Sequence, residues 1–221
     1  MSRSCVIHAP CKINVHLEVG ERRNDGYHNL RSIFLCLEFG DLLEFRELGP
    51  PTEGFPLGEA GGNDLETVTG MGEDLPPERN IVTKAVSLFR EKTGYAKPLS
   101  IKLEKRAPLG GGLGGGSSDG ASALIALNAL AEADLSREDL AVMAEKLGSD
   151  VPFFLAGGAA LVEGRGERIR PLEGPRAPLW VVLVNPGFPA EPGRLLRNWM
   201  LFAKERRKAP VVLPVLFRTT S

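Results

Sequence analysis

Alternation dominates the start of the chain. Ile13, Val15, Leu17 and Val19 are apolar between Lys12, Asn14, His16 and Glu18, the period-two pattern of a strand with one buried face. That pattern puts Lys12 and Asn14 on the same face. "NDG" at 24–26 reads as a turn, 30–39 as a second, antiparallel strand, and "GD" at 40–41 as the start of a further turn. From Gly49 to Arg79 the chain is rich in Gly, Pro and Glu without apolar periodicity, which predicts a long mobile surface loop outside the core. Periodicity returns at 80–94, where Asn80 as N-cap, Ile81, Ala85, Leu88 and Phe89 as one face and Gly94 as a stop predict a helix. "LSIKL" (99–103) alternates again and predicts a strand. Downstream, the pattern predicts a helix over roughly 117–132 and a second one introduced by Ser136 and Asp139 and ended by Gly148. An element at 149–155, a hairpin over 158–172, a buried strand at 179–187 and an amphipathic helix carrying Leu195, Trp199 and Ala203 complete the series.

With 221 residues, 43% hydrophobic and 25% charged, the chain can build a core and form one large domain or two small ones. A formal net charge of −1 argues against a nucleic-acid partner held by phosphate neutralisation. The local cation excess between Arg194 and Lys208 reads as a solvated helix face. Cys5, Cys11 and Cys36 form no CxxC pair, and the N-terminus lacks the apolar stretch of a secretory signal, so a cytoplasmic location with reduced thiols is expected. No apolar run approaches the roughly 18–20 residues of a membrane span, and a membrane partner is not expected. The oligomeric state stays open.

The chemistry concentrates in "RAPLGGGLGGGSSDGASALIALNAL" (106–130). A flexible linker would have polar, featureless flanks, whereas a strand precedes this run and an apolar helix follows it. Gly110, Gly112 and Gly115 fit a GxGxxG dinucleotide fingerprint, but Pro108 separates them from the strand and the run lies mid-chain. That leaves a nicotinamide-dependent oxidoreductase as a remote alternative. Ser117 follows Gly116, so the GK[ST] of a Walker loop is missing. What remains is an anion cradle, in which glycines let backbone N–H groups approach closely and a helix starting near Ser117 points its positive end at the same place. Ser117 and Ser118 add hydroxyls suited to phosphate oxygens, to Mg²⁺ or to plain N-capping.

"PLGGGLGGGSSDGA" (108–121) resembles the nucleotide-binding motif of the GHMP small-molecule kinases. "APCKINVHLEV" with "DGYHNL" (9–30) and "LGSDVPFFLAGGAALVEGRGE" (147–167) resemble two further motifs of one branch of that family, in the same order. The resemblance implies an α+β GHMP kinase fold: a domain like the second domain of ribosomal protein S5 over 1–165, followed by a partial ferredoxin-like domain over 166–221. It implies ATP and Mg²⁺ as cofactors. The implied reaction is transfer of the γ-phosphoryl to the 2-hydroxyl of a cytidine diphosphate alcohol, 4-diphosphocytidyl-2-C-methyl-D-erythritol, in the non-mevalonate route to isoprenoid precursors. Residue by residue, Asp150 matches the base and Lys12 its partner. Pro108, Leu109, Gly110, Gly111, Gly112, Leu113, Gly114, Gly115, Gly116, Ser117 and Ser118 match the ATP phosphate loop, with Ser118 as the metal contact. Asn14, Tyr27 and His28 match positions near the acceptor, the last two at the cytosine.

Taken without the resemblance, Asp150 before Val151-Pro152 is a plain helix N-cap, Lys12 a solvated strand side chain, and Tyr27-His28 the closure of a hairpin. The family also carries a third glycine-serine motif, and nothing after Phe188 supplies it. The expectation is therefore a chain cut within its second domain, poorly stable and nearly inactive. A non-catalytic or weakly active nucleotide-binding remnant is the second reading.

Overall fold

The computed structural model describes residues 3–22, 28–49, 66–69 and 80–184. Two long strands form its backbone: β1 (Ser4–Arg22) and β2 (His28–Glu47) pair antiparallel, from Ser4 opposite Arg46 to Arg22 opposite His28. With one edge of β2 taken by β1, two other strands share the opposite edge. β4 (Leu99–Glu104) pairs with residues 42–47, and β5 (Ala159–Gly164) with residues 30–35. Cys36 N–H still donates to Gly158 O at 2.8 Å, and between these pairings no strand pairs with this edge of β2 at 37–41.

Gly40 and Asp41 therefore lie inside a strand and do not open the turn that their sequence suggests. A Cβ at Gly40 would overlap the carbonyl oxygen of Ala9, so this glycine marks a close approach of two strands, which local sequence does not announce. The region 49–79 contains one described element, β3 (Glu66–Thr69), parallel to β4 at the sheet edge. This corrects the expectation of a featureless loop at those four residues. β6 (Arg168–Leu172) pairs with β5 through a turn at 165–167 and continues the same sheet.

Among the described residues four helices cover the sheet. α1 (Ile81–Thr93) is capped by Asn80 and ended by Gly94 as predicted, but it buries Val82, Ala85, Val86 and Phe89, a face displaced by one position from the expected one. α2 (Gly115–Ala131) starts two residues before the predicted helix and is the central helix, buried along most of its length. α3 (Arg137–Leu147) carries the Ser136–Asp139 capping box, and α4 (Val151–Ala156) is a short helix with Pro152 in its first turn. Leu99, Ile101 and Leu103 point from β4 into the core shared with Val86, Phe89, Leu124, Leu127 and Phe153. Burial of such side chains supplies about 1.5–3 kcal/mol each.

The predicted buried strand at 179–187 is neither buried nor a strand over its described residues, 179–184. Within its described residues only Val181 forms a bridge, while Trp180, Val182 and Val184 are 74%, 77% and 84% exposed. An apolar run reads the same whether or not an element lies over it, and among the described residues none lies over this one. The helix over 195–203, the basic run of 194–208 and the NDG turn lie outside the described residues. Cys5, Cys11 and Cys36 are free thiols, and no described helix is long and apolar enough to cross a membrane.

Candidate active site

The glycine run forms one wall of an open cavity of about 330 Å³. Its conformation explains its composition, since Gly110, Gly112 and Gly114 adopt φ values of 70°, 72° and 70°, a left-handed backbone that a Cβ disfavours. Left-handed residues at every second position are the backbone on which anion nests are built, and the Gly111 N–H is held by Pro108 O at 3.3 Å. Gly114 is also the N-cap of α2, and it offers no side-chain cap. The first N–H groups of a buried seventeen-residue helix thus open toward the cavity with their partial positive charge.

Pro108 through Ser117 all line this cavity, with Asn80, Ile81, Leu103, Lys105 and Asp119. Ser118 does not. It is fully buried behind the wall, and its hydroxyl has no hydrogen-bond partner.

Beside the loop, with Lys105 and Asp119 on the same cavity, lies a cluster that the sequence reading did not single out. Lys105 Nζ donates to Asp41 and, at 2.8 Å, to Asp119 Oδ2. Asp41 Oδ1 accepts from the backbone N–H of Arg106 (2.6 Å) and of Ala107 (2.8 Å). Burial pushes the Asp41 carboxyl up, but these donors outweigh it and hold the group below its ordinary value. Asp119 moves the other way, to about 7, because burial and the neighbouring Asp41 charge exceed what Lys105 returns. One signal was available: Leu99, Ile101 and Leu103 alternate inward, and the same period carries Lys105 inward.

On the other side of the loop stands the predicted catalytic pair. Lys12 N–H donates to Leu113 O at 2.8 Å, so β1 holds the loop by its backbone and presents its side chain beside it. The Lys12 ammonium is 3.7 Å from Asp150 Oδ2, donates to Asn14 Oδ1 at 2.7 Å and stands 4.4 Å from the centre of the Phe34 ring. Desolvation lowers its pKa, against the pull of Asp150. Asp150 occupies the N-cap position of α4 yet makes no capping hydrogen bond. Its carboxylate faces Lys12 instead and keeps 34% of its side chain exposed. Asn14 is fixed from behind through its Nδ2 donation to Ser32 Oγ at 2.8 Å.

The structure thus brings Lys12, Asn14 and Asp150 together against the glycine loop. His28 is elsewhere: its Nδ1 meets Gly20 O at 2.9 Å at the start of β2. Asn14 pairs with Phe34, which places His28 six residues away along β2, about 20 Å of extended strand. Tyr27 lies outside the described residues.

A model of the GHMP kinases N terminal domain matches residues 80–158, the segment from the α1 cap through α4. A crystal structure of a 4-(cytidine 5'-diphospho)-2C-methyl-D-erythritol kinase superposes with a TM-score of 0.71 at 33% identity, covering 93% of this chain and 73% of that one. The chain belongs to this family of GHMP kinases. Its α+β sheet-and-helix arrangement is accordingly a GHMP kinase fold. The 4-diphosphocytidyl-2-C-methyl-D-erythritol kinase of Burkholderia thailandensis is 42% identical over 185 residues, which are 83% of this chain and 57% of that protein. Its counterpart in Shewanella woodyi is 41% identical over 161 residues, 73% of this chain and 52% of that protein. The chain therefore spans about half the length of the curated relatives it matches.

Proposed function

We propose that this GHMP kinase chain binds ATP on the glycine loop and transfers the γ-phosphoryl to the 2-hydroxyl of 4-diphosphocytidyl-2-C-methyl-D-erythritol. The observation that carries the reading is that Asp150 leaves α4 uncapped and pairs with Lys12. A carboxylate serving only the fold would bond the helix N–H groups beside it.

Phosphoryl transfer depends mostly on positioning and charge neutralisation. The glycine loop and the open N-terminal end of α2 hold the phosphates. Asp150 accepts the proton of the attacking 2-hydroxyl. Lys12, desolvated and tethered by Asn14, stabilises negative charge on the acceptor oxygen and the moving phosphoryl, an interaction strengthened by removal from water. The gap between Asn14 and His28 suits a long acceptor laid along β1 and β2, with its polyol at Lys12 and its cytosine near Tyr27 and His28.

Among the described residues no cluster of three acidic, His or Cys side chains could cage a metal. Mg²⁺ suits this loop as an ion carried on the nucleotide, which typically uses few protein ligands. The Ser118 hydroxyl expected to contact it is buried behind the wall and does not reach the cavity, so Ser117, which lines the cavity, is the hydroxyl we assign to it; the ion would neutralise phosphate charge.

The test is an assay of the chain with ATP, Mg²⁺ and the cytidylated acceptor, read as ADP and 2-phosphorylated product. Asp150→Asn and Lys12→Ala should each lower turnover about a hundredfold or more and change ATP affinity by no more than a few-fold. Parental turnover in both variants would refute the roles. ATP binding without turnover in the parent would favour the nucleotide-binding remnant.

A further inference from the structure

We propose that Asp41 is a positioning residue of the donor site: one buried carboxylate on β2 that holds both roots of the glycine loop, through the backbone of Arg106 and Ala107 at one end and through Lys105 to Asp119 at the other. The inference rests on the nucleotide reading above and assigns how the loop keeps its shape.

The β2–β4 ladder ends with Leu42 opposite Glu104, and the chain beyond Glu104 turns away toward the loop. The next N–H groups therefore lose strand partners, and an N–H shielded from water without an acceptor destabilises the fold. Asp41, the residue before the end of that ladder, supplies the acceptor: its Oδ1 takes both the Arg106 and the Ala107 N–H. Its Oδ2 takes the Lys105 ammonium, which reaches on to Asp119 in the first turns of α2.

The side chain is 0% exposed, and a carboxylate so placed is tolerated only when its oxygens are occupied. Here every donor it engages lies in 105–107. The packing is tight enough to exclude a side chain at the first residue of α2, since a Cβ at Gly115 would lie 2.8 Å from Ala107 Cβ and 3.3 Å from Asp41 Oδ2. Gly40 lets β2 approach β1 at the adjacent position. The cradle is a string of glycines, flexible by composition; Leu113 is fixed by Lys12 from β1, and its two roots are fixed by Asp41 from β2.

The experiment compares Asp41→Asn with Val86→Ala, a core change in α1 that shortens a fully buried side chain away from this cluster. Two quantities are read on the 221-residue chain well below its unfolding temperature: equilibrium binding of ATP with Mg²⁺, and amide hydrogen exchange over 105–119 without ligand. Asp41→Asn should weaken ATP binding about tenfold and speed exchange in the loop, whereas Val86→Ala leaves ATP affinity within about twofold despite its lower unfolding temperature. Parental affinity and parental loop exchange in Asp41→Asn would overturn the proposal. If that variant does not fold, Asp119→Asn cuts only the far root: faster exchange confined to 115–119 supports the proposal, and no change overturns it. A parent chain that binds no ATP would sink the nucleotide reading, and the exchange data would then decide the anchor on their own.

Discussion

Two lysines flank the glycine loop, and they have been put to opposite uses. Lys105 sits between two carboxylates, and its charged form is favoured strongly enough to raise its pKa despite burial. Lys12 is buried more deeply, has one carboxylate at 3.7 Å, and its charged form is disfavoured. The first ammonium bonds two carboxylates and acts as a strut; the second is held by an amide and a ring and faces a single carboxylate. On the proposed mechanism, the same residue type serves as scaffold or as chemistry according to how many charges face it.

Removing each lysine separates the two uses most sharply. Lys105→Met leaves Asp41 and Asp119 buried without their shared cation, which should cost roughly 3–5 kcal/mol at pH 8, read as a fall in the denaturation midpoint. Lys12→Met removes a cation that the fold disfavours and leaves a carboxylate that water reaches, so the midpoint should stay put or rise. Equal losses would erase the distinction.

The next contrast lies in pH. Asp119 has a folded pKa of about 7 against 3.8 for the free side chain. Between those values the folded chain holds a proton that the unfolded chain has released. The stability this contributes is complete below about pH 4 and is lost as pH rises through 7. The loss of thermal stability from pH 5 to pH 8 should be smaller in Asp119→Asn than in the parent; an identical dependence would mean that Lys105 already compensates Asp119 fully.

The smallest effects test the loop itself. Gly114→Ala sets a side chain on a backbone with φ of 70°, and its Cβ would meet Phe154 Cζ at 2.9 Å and Lys12 Cγ at 3.1 Å. It should cost about 1–3 kcal/mol and disturb Lys12. Gly116→Ala, in the first turn of α2 with nothing within 4 Å, should be neutral or stabilise by up to about 1 kcal/mol. Comparable losses in both would show that the wall is not set by the left-handed positions.

The strands and the capped helices were legible because their signals are local. Alternation from Lys12 to Val19, Asn80 and Gly94 at the ends of α1, and Ser136 with Asp139 before α3 each state their structure within a few residues. Asp150 and Lys12 were named through motif resemblance, and geometry then separated a helix cap from an ion pair. Asp41 was misread because its partners are 64 to 66 residues away, and no short pattern encodes a strand whose edge is left open between two others. The exposed run at 179–184 failed for the related reason that burial depends on what lies over a segment.

The direct test of the paired lysines is a side-chain NMR titration of the two Nζ groups, assigned through Lys12→Met and Lys105→Met. The account predicts that Lys12 titrates below the ordinary lysine value of 10.5 and Lys105 above it, and that Asp150→Asn moves only Lys12, further down. A Lys12 titrating at or above Lys105 would contradict the claim that one cation is locked into the scaffold and the other kept for chemistry.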